Sequence, residues 1–135
     1  MTDQLISFKT AKLAKEKGFD KLVYACYNNS TALENLNNIW SCGCEGGMHL
    51  EEWYYNYNAY PHNTLYSAPT QSLLQKWLRE EHNLSIEIAC TIIKDWFFEI
   101  YKISSGNRMY KAKAHFKTYE EALEVGLQEG LKQIK

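Results

Sequence analysis

The sequence carries almost no net charge and no long apolar run. Its 15 Lys and Arg residues nearly balance its 16 Asp and Glu residues, which argues against a protein that binds mainly by neutralising phosphates. The opening residues lack the apolar core of a signal peptide, and no apolar stretch approaches membrane-spanning length. We therefore expect a cytoplasmic protein with no membrane partner, whose four cysteines are reduced thiols.

Recognisable catalytic motifs are also missing. The loop CGCEGG at residues 42–47 is not a GxGxxG motif and does not lead from a clear strand into a helix. The chain has no phosphate-binding loop and no HExxH motif. A catalytic nucleophile needs a base within hydrogen-bond reach and a group that orients that base, and no stretch of the sequence supplies this frame. The sequence therefore favours a non-enzymatic role over catalysis.

A foldable composition is nevertheless present. The hydrophobic fraction is 45% and the aromatic fraction is 14%, so 135 residues suffice for a core without disulfides or metal. Neither an internal repeat nor a low-complexity linker interrupts the chain. We predict one domain over residues 1–135, in which 1–66 form an N-terminal helix and an irregular aromatic-rich segment and 67–135 form a more regular unit.

The clearest pattern runs from Ser67 to Ile93. Leu73, Leu74, Trp77 and Leu78 form one apolar stripe of a helix, for which Ser67 or Thr70 is the N-cap. Asn83 suits a left-handed residue at the end of this helix. The period then becomes two, which predicts a strand with one buried face formed by Leu84, Ile86, Ile88, Cys90 and Ile92.

Two more strands and a helix complete the predicted C-terminal half. Residues 96–103 and 109–116 read as strands, joined by turns at 94–95 and 104–107. Thr118 and Glu121 form a capping box for a final helix with a stripe of Ala122, Leu123, Gly126, Leu127, Gly130, Leu131 and Ile134. The fold class is therefore α+β: a three-stranded or slightly larger antiparallel meander, with both helices on one face, plus an N-terminal helix.

The N-terminal half gives weaker patterns. Residues 7–17 predict a helix capped by Ser7 and ended by Gly18, and residues 22–27 predict a short strand. Residues 31–39 have leucine and isoleucine three apart, which favours a short helix. The alternation of Trp53, Tyr55 and Tyr57 favours a strand or an extended edge.

Three blocks carry a family resemblance: ISFKTAKLAKEKGFD near the start, APTQSLLQKWLREEHNLSIEI in the middle and KTYEEALEVGLQEGLKQI at the end. With these blocks the chain resembles small uncharacterised proteins encoded by gut Bacteroidetes and by their phages and prophages. The resemblance covers about half of the chain and implies a mobile-element origin. It implies no catalytic or binding residues.

The aromatic segment is the leading candidate for an interaction surface. Tyrosine and tryptophan supply large contact areas at low entropic cost and are enriched at binding hot spots. We expect an accessory module that binds a protein partner or a second copy of itself through five aromatic side chains: Trp53, Tyr54, Tyr55, Tyr57 and Tyr60. The alternative interpretation of the same residues is a satellite core under a long connection.

A basic strand edge supports a second hypothesis, nucleic-acid binding. The residues concerned are Arg108, Lys111, Lys113 and Lys117. The order helix, three strands, helix also matches double-stranded RNA-binding domains, but the last helix here begins with Tyr119-Glu120-Glu121, which would repel phosphate. Cross-strand pairing with Glu87 and Glu99 explains the same charges as sheet stabilisation, so nucleic acid is not the favoured partner.

A third hypothesis is a zinc- or thiol-dependent enzyme. Cys42, Cys44 and His49 lie close in sequence and offer the sulfur and nitrogen ligands that zinc prefers. The C-x-C spacing is shorter than the usual C-x2-C pair of structural zinc sites. We therefore expect no cofactor, with zinc as the alternative.

Overall fold

The computed structural model describes residues 3–28, 39–41, 56–59 and 65–135, and the chain is α+β as predicted. Its residues cluster into two compact units, one from residues 5–69 and one from residues 70–135 with residues 3 and 4. The prediction of one domain over 1–135 stays a prediction. None of the helices in these ranges combines the length and apolar character needed to cross a bilayer.

The N-terminal unit contains helix α1, Phe8–Glu16, and a three-stranded sheet of β1, Ala25–Asn28, β2, Ile39–Ser41, and β3, Leu65–Ser67. Strand β1 lies in the middle and pairs antiparallel with both neighbours. The Ser7 hydroxyl caps α1 by accepting the Thr10 amide hydrogen, as the sequence predicted. The predicted strand at 22–27 is confirmed, shifted to 25–28.

A short 3-10 helix, Tyr57–Ala59, is held against β3 of the same unit by the Asn58 side chain. Ser67 donates its amide hydrogen to Asn58 Oδ1 at 2.9 Å, and Asn58 Nδ2 donates to the Phe19 carbonyl at 3.0 Å. The extended conformation predicted through Tyr57 is therefore wrong at that residue, because the Asn58 side chain bonds the turn to β3. The helix predicted at 31–39 lies outside the described residues except for Ile39, which begins β2.

The C-terminal unit has the predicted order of helix, three strands and helix. Its elements are α2, Gln71–His82, β4, Leu84–Cys90, β5, Trp96–Lys102, β6, Asn107–Lys111, and α3, Tyr119–Lys132. The strands pair as the antiparallel meander β4-β5-β6. Thr70 caps α2, and Asn83 ends it in the left-handed conformation with φ 60°. These assignments confirm the sequence prediction.

Helices α2 and α3 pack against each other and on the same face of the sheet. That face buries Leu84 and Ile86 of β4 and Phe98 and Ile100 of β5. Helix α3 contributes a buried stripe of Ala122, Leu123, Gly126, Leu127, Gly130 and Leu131. The two glycines of α3 let its backbone approach the sheet closely, because a Cβ at Gly126 would lie 2.9 Å from Ile86 Cγ2.

Three details of this unit differ from the prediction. The buried face of β4 ends earlier, since Cys90 is exposed and Ile92 lies beyond the strand. Strand β6 ends at Lys111, and the return to Phe116 is a single bridge with Trp96. Glu121 accepts the amide hydrogen of Lys117 at 3.3 Å, whereas the capping box predicted the amide of Thr118.

Candidate functional site

Most of the predicted aromatic surface lies outside the described residues, namely Trp53, Tyr54, Tyr55 and Tyr60. Tyr57 is described, and its side chain is only 8% exposed, within the interior of the N-terminal unit. The predicted zinc or thiol residues Cys42, Cys44 and His49 also fall outside the described ranges. Within those ranges, no three His, Cys, Asp or Glu side chains gather as a metal site.

The basic residues of the alternative site are all exposed, but the structure divides them. Arg108 and Lys111 belong to β6, whereas Lys113 and Lys117 follow that strand. The Arg108 guanidinium forms a 3.0 Å ion pair with the Glu99 carboxylate. Lys111 is opposite Glu99 in the sheet register, and its ammonium lies 5.7 Å from the centre of the Phe97 ring. Two of the four cations therefore already have partners on their own sheet face.

Glu99 is the centre of a polar network on the face of the sheet opposite the helices. The hydrogen bond from Arg108 lowers the pKa of the Glu99 carboxyl, and the Tyr101 hydroxyl donates to the same oxygen at 3.0 Å. That bond to a carboxylate raises the pKa of the Tyr101 phenol. Glu87 pairs directly with Glu99 across β4 and β5 and accepts a hydrogen bond from Ser85. The pairing of Arg108 and Lys111 with Glu99 is cross-strand charge balancing, as the sequence suggested, whereas Glu87 lies opposite a like charge and has no cation across the strand pair.

A site that the sequence reasoning missed is the turn between β4 and β5, residues 91–95. Its two isoleucines point away from the protein: Ile92 is 101% exposed and Ile93 is 69% exposed. We call residues 91–95 the hairpin tip. Hydrophobic β-branched residues are unusual in a tight turn, where glycine, asparagine, aspartate and serine predominate. That mismatch was visible in the sequence, but the period-two pattern through Ile92 suggested burial instead.

Three hydrogen bonds close the hairpin tip. Thr91 donates its amide hydrogen to the Asp95 carbonyl at 2.8 Å and accepts one from Lys94 at 3.1 Å. The Asp95 amide donates to Thr91 Oγ1 at 3.3 Å. Lys94 has φ 65°, a left-handed conformation that normally selects glycine or asparagine. The tip thus holds its two isoleucines on an ordered turn.

Within the described residues, the arrangement presents an apolar surface to other molecules. An ordered apolar tip can enter a groove of another molecule, and the polar network around Glu99 stabilises the sheet that carries the tip. No family model, no curated protein and no solved structure matches this chain, so the candidate site is defined by its own geometry.

Proposed function

We propose that the chain is a small non-enzymatic accessory protein that binds a protein partner, or a second copy of itself, through the hairpin tip. The observation that carries this proposal is the full exposure of Ile92 next to the largely exposed Ile93 on a closed turn. The three sequence blocks support a phage or mobile-element origin, and that origin stays a prediction. The aromatic segment with Trp53 and Tyr55 remains a second predicted contact surface.

The energetics favour association at this tip. Burying one isoleucine side chain contributes roughly 1.5–3 kcal/mol, so two adjacent residues suffice for a binding hot spot. The turn is already closed by hydrogen bonds around Thr91, so binding would order few additional backbone dihedral angles. A preformed apolar contact loses less conformational entropy on binding than a disordered segment does.

The direct test replaces both isoleucines by serine, Ile92→Ser with Ile93→Ser, in the full chain. Because these side chains are exposed, the free energy of unfolding of the unbound protein should change by no more than about 0.5 kcal/mol. Self-association is measured by light scattering on a size-exclusion column, and partners are captured from host extract with tagged protein and quantified by mass spectrometry. We expect the double variant to lose the dimer mass or a defined set of captured proteins.

Leu22→Ser is the matched control, because Leu22 is also a large exposed apolar residue, at 61%, but lies in the N-terminal unit. It should leave association unchanged. Identical masses and identical captured proteins for the wild type and the double variant would refute the proposal. Equal losses in the Leu22 variant would mean that general surface hydrophobicity, and not the tip, drives association.

Nucleic-acid binding is the alternative function, favoured by the exposure of Lys113 and Lys117 beside β6. It predicts retention on heparin at low salt that weakens steeply as salt rises. Charge reversal at both residues, Lys113→Glu with Lys117→Glu, should then abolish retention. Flow-through of the wild type at low salt would eliminate this alternative.

The third proposal is a zinc or thiol enzyme at Cys42, Cys44 and His49. Its zinc form predicts that the mass of the native protein includes one zinc ion, and that Cys42→Ser removes this ion.

A further inference from the structure

A groove of about 530 Å3 lies in the C-terminal unit where helices α2 and α3 begin. Trp96, Tyr119 and Leu123 form its apolar wall. The Trp96 and Tyr119 rings meet edge to face, with centroids 5.5 Å apart and planes at 86°. Two hydrogen bonds to Phe116, at 2.8 and 2.7 Å, hold the Trp96 backbone in place. The volume lies within the roughly 300–1,000 Å3 typical of small-molecule sites.

The ionisable side chains that line the groove are both acidic, Asp3 and Glu120. Two helix N-termini would ordinarily attract an anion. Here carboxylates of the chain already occupy both helix N-termini. At the start of α2, Asp3 Oδ2 accepts the Ser72 amide hydrogen at 3.3 Å, and the first turn of α3 contains two glutamates. A phosphate or a carboxylate ligand would be repelled by these groups. The charge of the groove therefore selects a cation.

Gln71 adds a hydrogen-bond acceptor to the groove wall. Its side chain is in the groove wall and the residue is only 1% exposed, while its Nε2 donates to the Glu120 carbonyl at 3.1 Å. This bond joins the starts of the two helices and fixes the orientation of the amide. Its Oε1 accepts no hydrogen bond from the described residues. An amide oxygen in the groove wall that accepts no hydrogen bond from the protein can accept one from a ligand.

The same groups discriminate between kinds of cation. A metal ion needs several oxygen, nitrogen or sulfur ligands converging on one point, and the described residues form no cluster of three such acidic, histidine or cysteine side chains. Aromatic faces, in contrast, bind organic ammonium groups by cation–π attraction. An ammonium with N–H donors can also serve the Gln71 oxygen and the two carboxylates.

We propose that this groove is a binding site for an alkylammonium group, held by Asp3 and Glu120, hydrogen-bonded to Gln71 Oε1 and packed against Trp96 and Tyr119. Both a free polyamine and a lysine side chain of another protein carry this group. The site is distinct from the hairpin tip, so it can exist whether or not the tip binds a partner.

The experiment is a titration of the full 15N-labelled chain, followed by the amide signals of Ser72 and Glu120 and the indole signal of Trp96. The probes are spermidine for a free polyamine and N-acetyl-lysine methylamide for a lysine side chain. Inorganic phosphate and MgCl2 are the opposing probes. We expect at least one ammonium probe to shift these three signals saturably, while phosphate and magnesium leave them in place. The probe that binds more tightly identifies the source.

The variant Asp3→Asn with Glu120→Gln removes both charges and keeps the oxygen acceptors. It should weaken ammonium binding about fivefold to tenfold, since each exposed ionic contact contributes roughly 0.2–1 kcal/mol. Tyr119→Phe keeps the ring and should bind almost normally, whereas Tyr119→Leu should bind about threefold more weakly. The matched control, Glu80→Gln with Glu81→Gln, removes two charges at the far end of α2 and should bind normally.

Three results would overturn the proposal. The first is the absence of a saturable shift with either ammonium probe at millimolar concentration. The second is a shift of the same signals by phosphate or magnesium. The third is equal weakening by the groove variant and the Glu80 and Glu81 control, which would reflect net charge alone. Thermal melts of every variant show whether it is folded, and the single variants Asp3→Asn and Glu120→Gln replace the double variant if it is not.

Discussion

Alanine substitutions at the two glycines of α3 test how closely this helix lies on the sheet. Alanine favours a helix over glycine by about 1 kcal/mol, so both substitutions should stabilise the protein if space allowed. A Cβ at Gly126, however, would lie 2.9 Å from Ile86 Cγ2 and 3.1 Å from the Phe98 ring. Both obstacles are stiff, because one is the branch of a β-branched residue and the other is a buried ring.

At Gly130 the obstacle is of another kind. A Cβ there would lie 2.8 Å from Ile86 Cδ1 and 3.2 Å from Leu78 Cδ1, both of which are ends of flexible side chains. Overpacking costs typically 1–3 kcal/mol. We therefore expect Gly126→Ala to lose about 1–2 kcal/mol of the free energy of unfolding after the helix gain is subtracted, and Gly130→Ala to change it by about 0.5 kcal/mol or less.

Ile86→Val separates the two cases. Valine lacks Cδ1, the atom that a Cβ at Gly130 would meet, but it keeps Cγ2, the atom that a Cβ at Gly126 would meet. Alone, Ile86→Val should cost about 1 kcal/mol. In the Gly130→Ala background it should cost about half as much, because the new methyl occupies the vacated space, whereas with Gly126→Ala the two losses should add.

Urea titrations of the full chain, followed by far-UV circular dichroism, measure these free energies, and a loss of 1 kcal/mol corresponds to about 4 °C in Tm for a chain of this length. Gly130→Ala, which gains the same helix propensity against more flexible obstacles, is the matched comparison for Gly126→Ala. Stabilisation by Gly126→Ala, or equal coupling of Ile86→Val to both alanines, would refute the packing argument.

Three further predictions concern single interactions. Lys94→Gly should raise the free energy of unfolding by about 1 kcal/mol, because glycine relieves the left-handed backbone at φ 65°; an unchanged or lower Tm would contradict this. Thr118→Ala should cost about 1 kcal/mol in urea titrations, because the Glu121 amide loses its cap, whereas Thr118→Ser should retain most of the stability. Stability should fall as pH drops below the ordinary glutamate pKa of 4.5, because Arg108 lowers the pKa of Glu99 and the unfolded chain takes up the proton first. Glu99→Gln should flatten that part of the pH profile, and an unchanged profile would show that Glu99 contributes little.

Local signals predicted much of the C-terminal unit. The Thr70 and Thr118 hydroxyls accept backbone amide hydrogens in the first turns of α2 and α3, and Asn83 tolerates the left-handed conformation at the end of α2. The sequence therefore predicted both ends of α2 and the start of α3 to the residue. The apolar stripe of α3 likewise matches the residues that the structure buries, except for Ile134, which lies beyond the end of the helix and is half-buried. These features depend on neighbours within about four positions along the chain, which is the range that a sequence pattern records.

Features that depend on distant residues were predicted less well. The alternation of β4 continues past Cys90, but burial stops because the turn begins, and so Ile92 is exposed. Tyr57 fits an alternating pattern, yet the bonds from Asn58 to Ser67 and Phe19 hold it in a 3-10 helix. For Ile92 the deciding factor is the end of strand β4, and for Tyr57 it is hydrogen bonding to residues distant in the sequence. Hydrophobic periodicity records neither where a strand ends nor which distant residues form bonds.

The sequence by itself determined the α+β class, the order of helix, meander and helix, and most helix ends, because propensity, capping and periodicity are local. Only the tertiary structure decided which apolar residues stay in water and which polar groups converge. Ile92 and Ile93 became a projecting tip because the β4–β5 register places the turn there. Asp3, Gln71 and Glu120 came to line one groove because packing brings the starts of α2 and α3 together with the N-terminal residues, which are distant from them in the sequence.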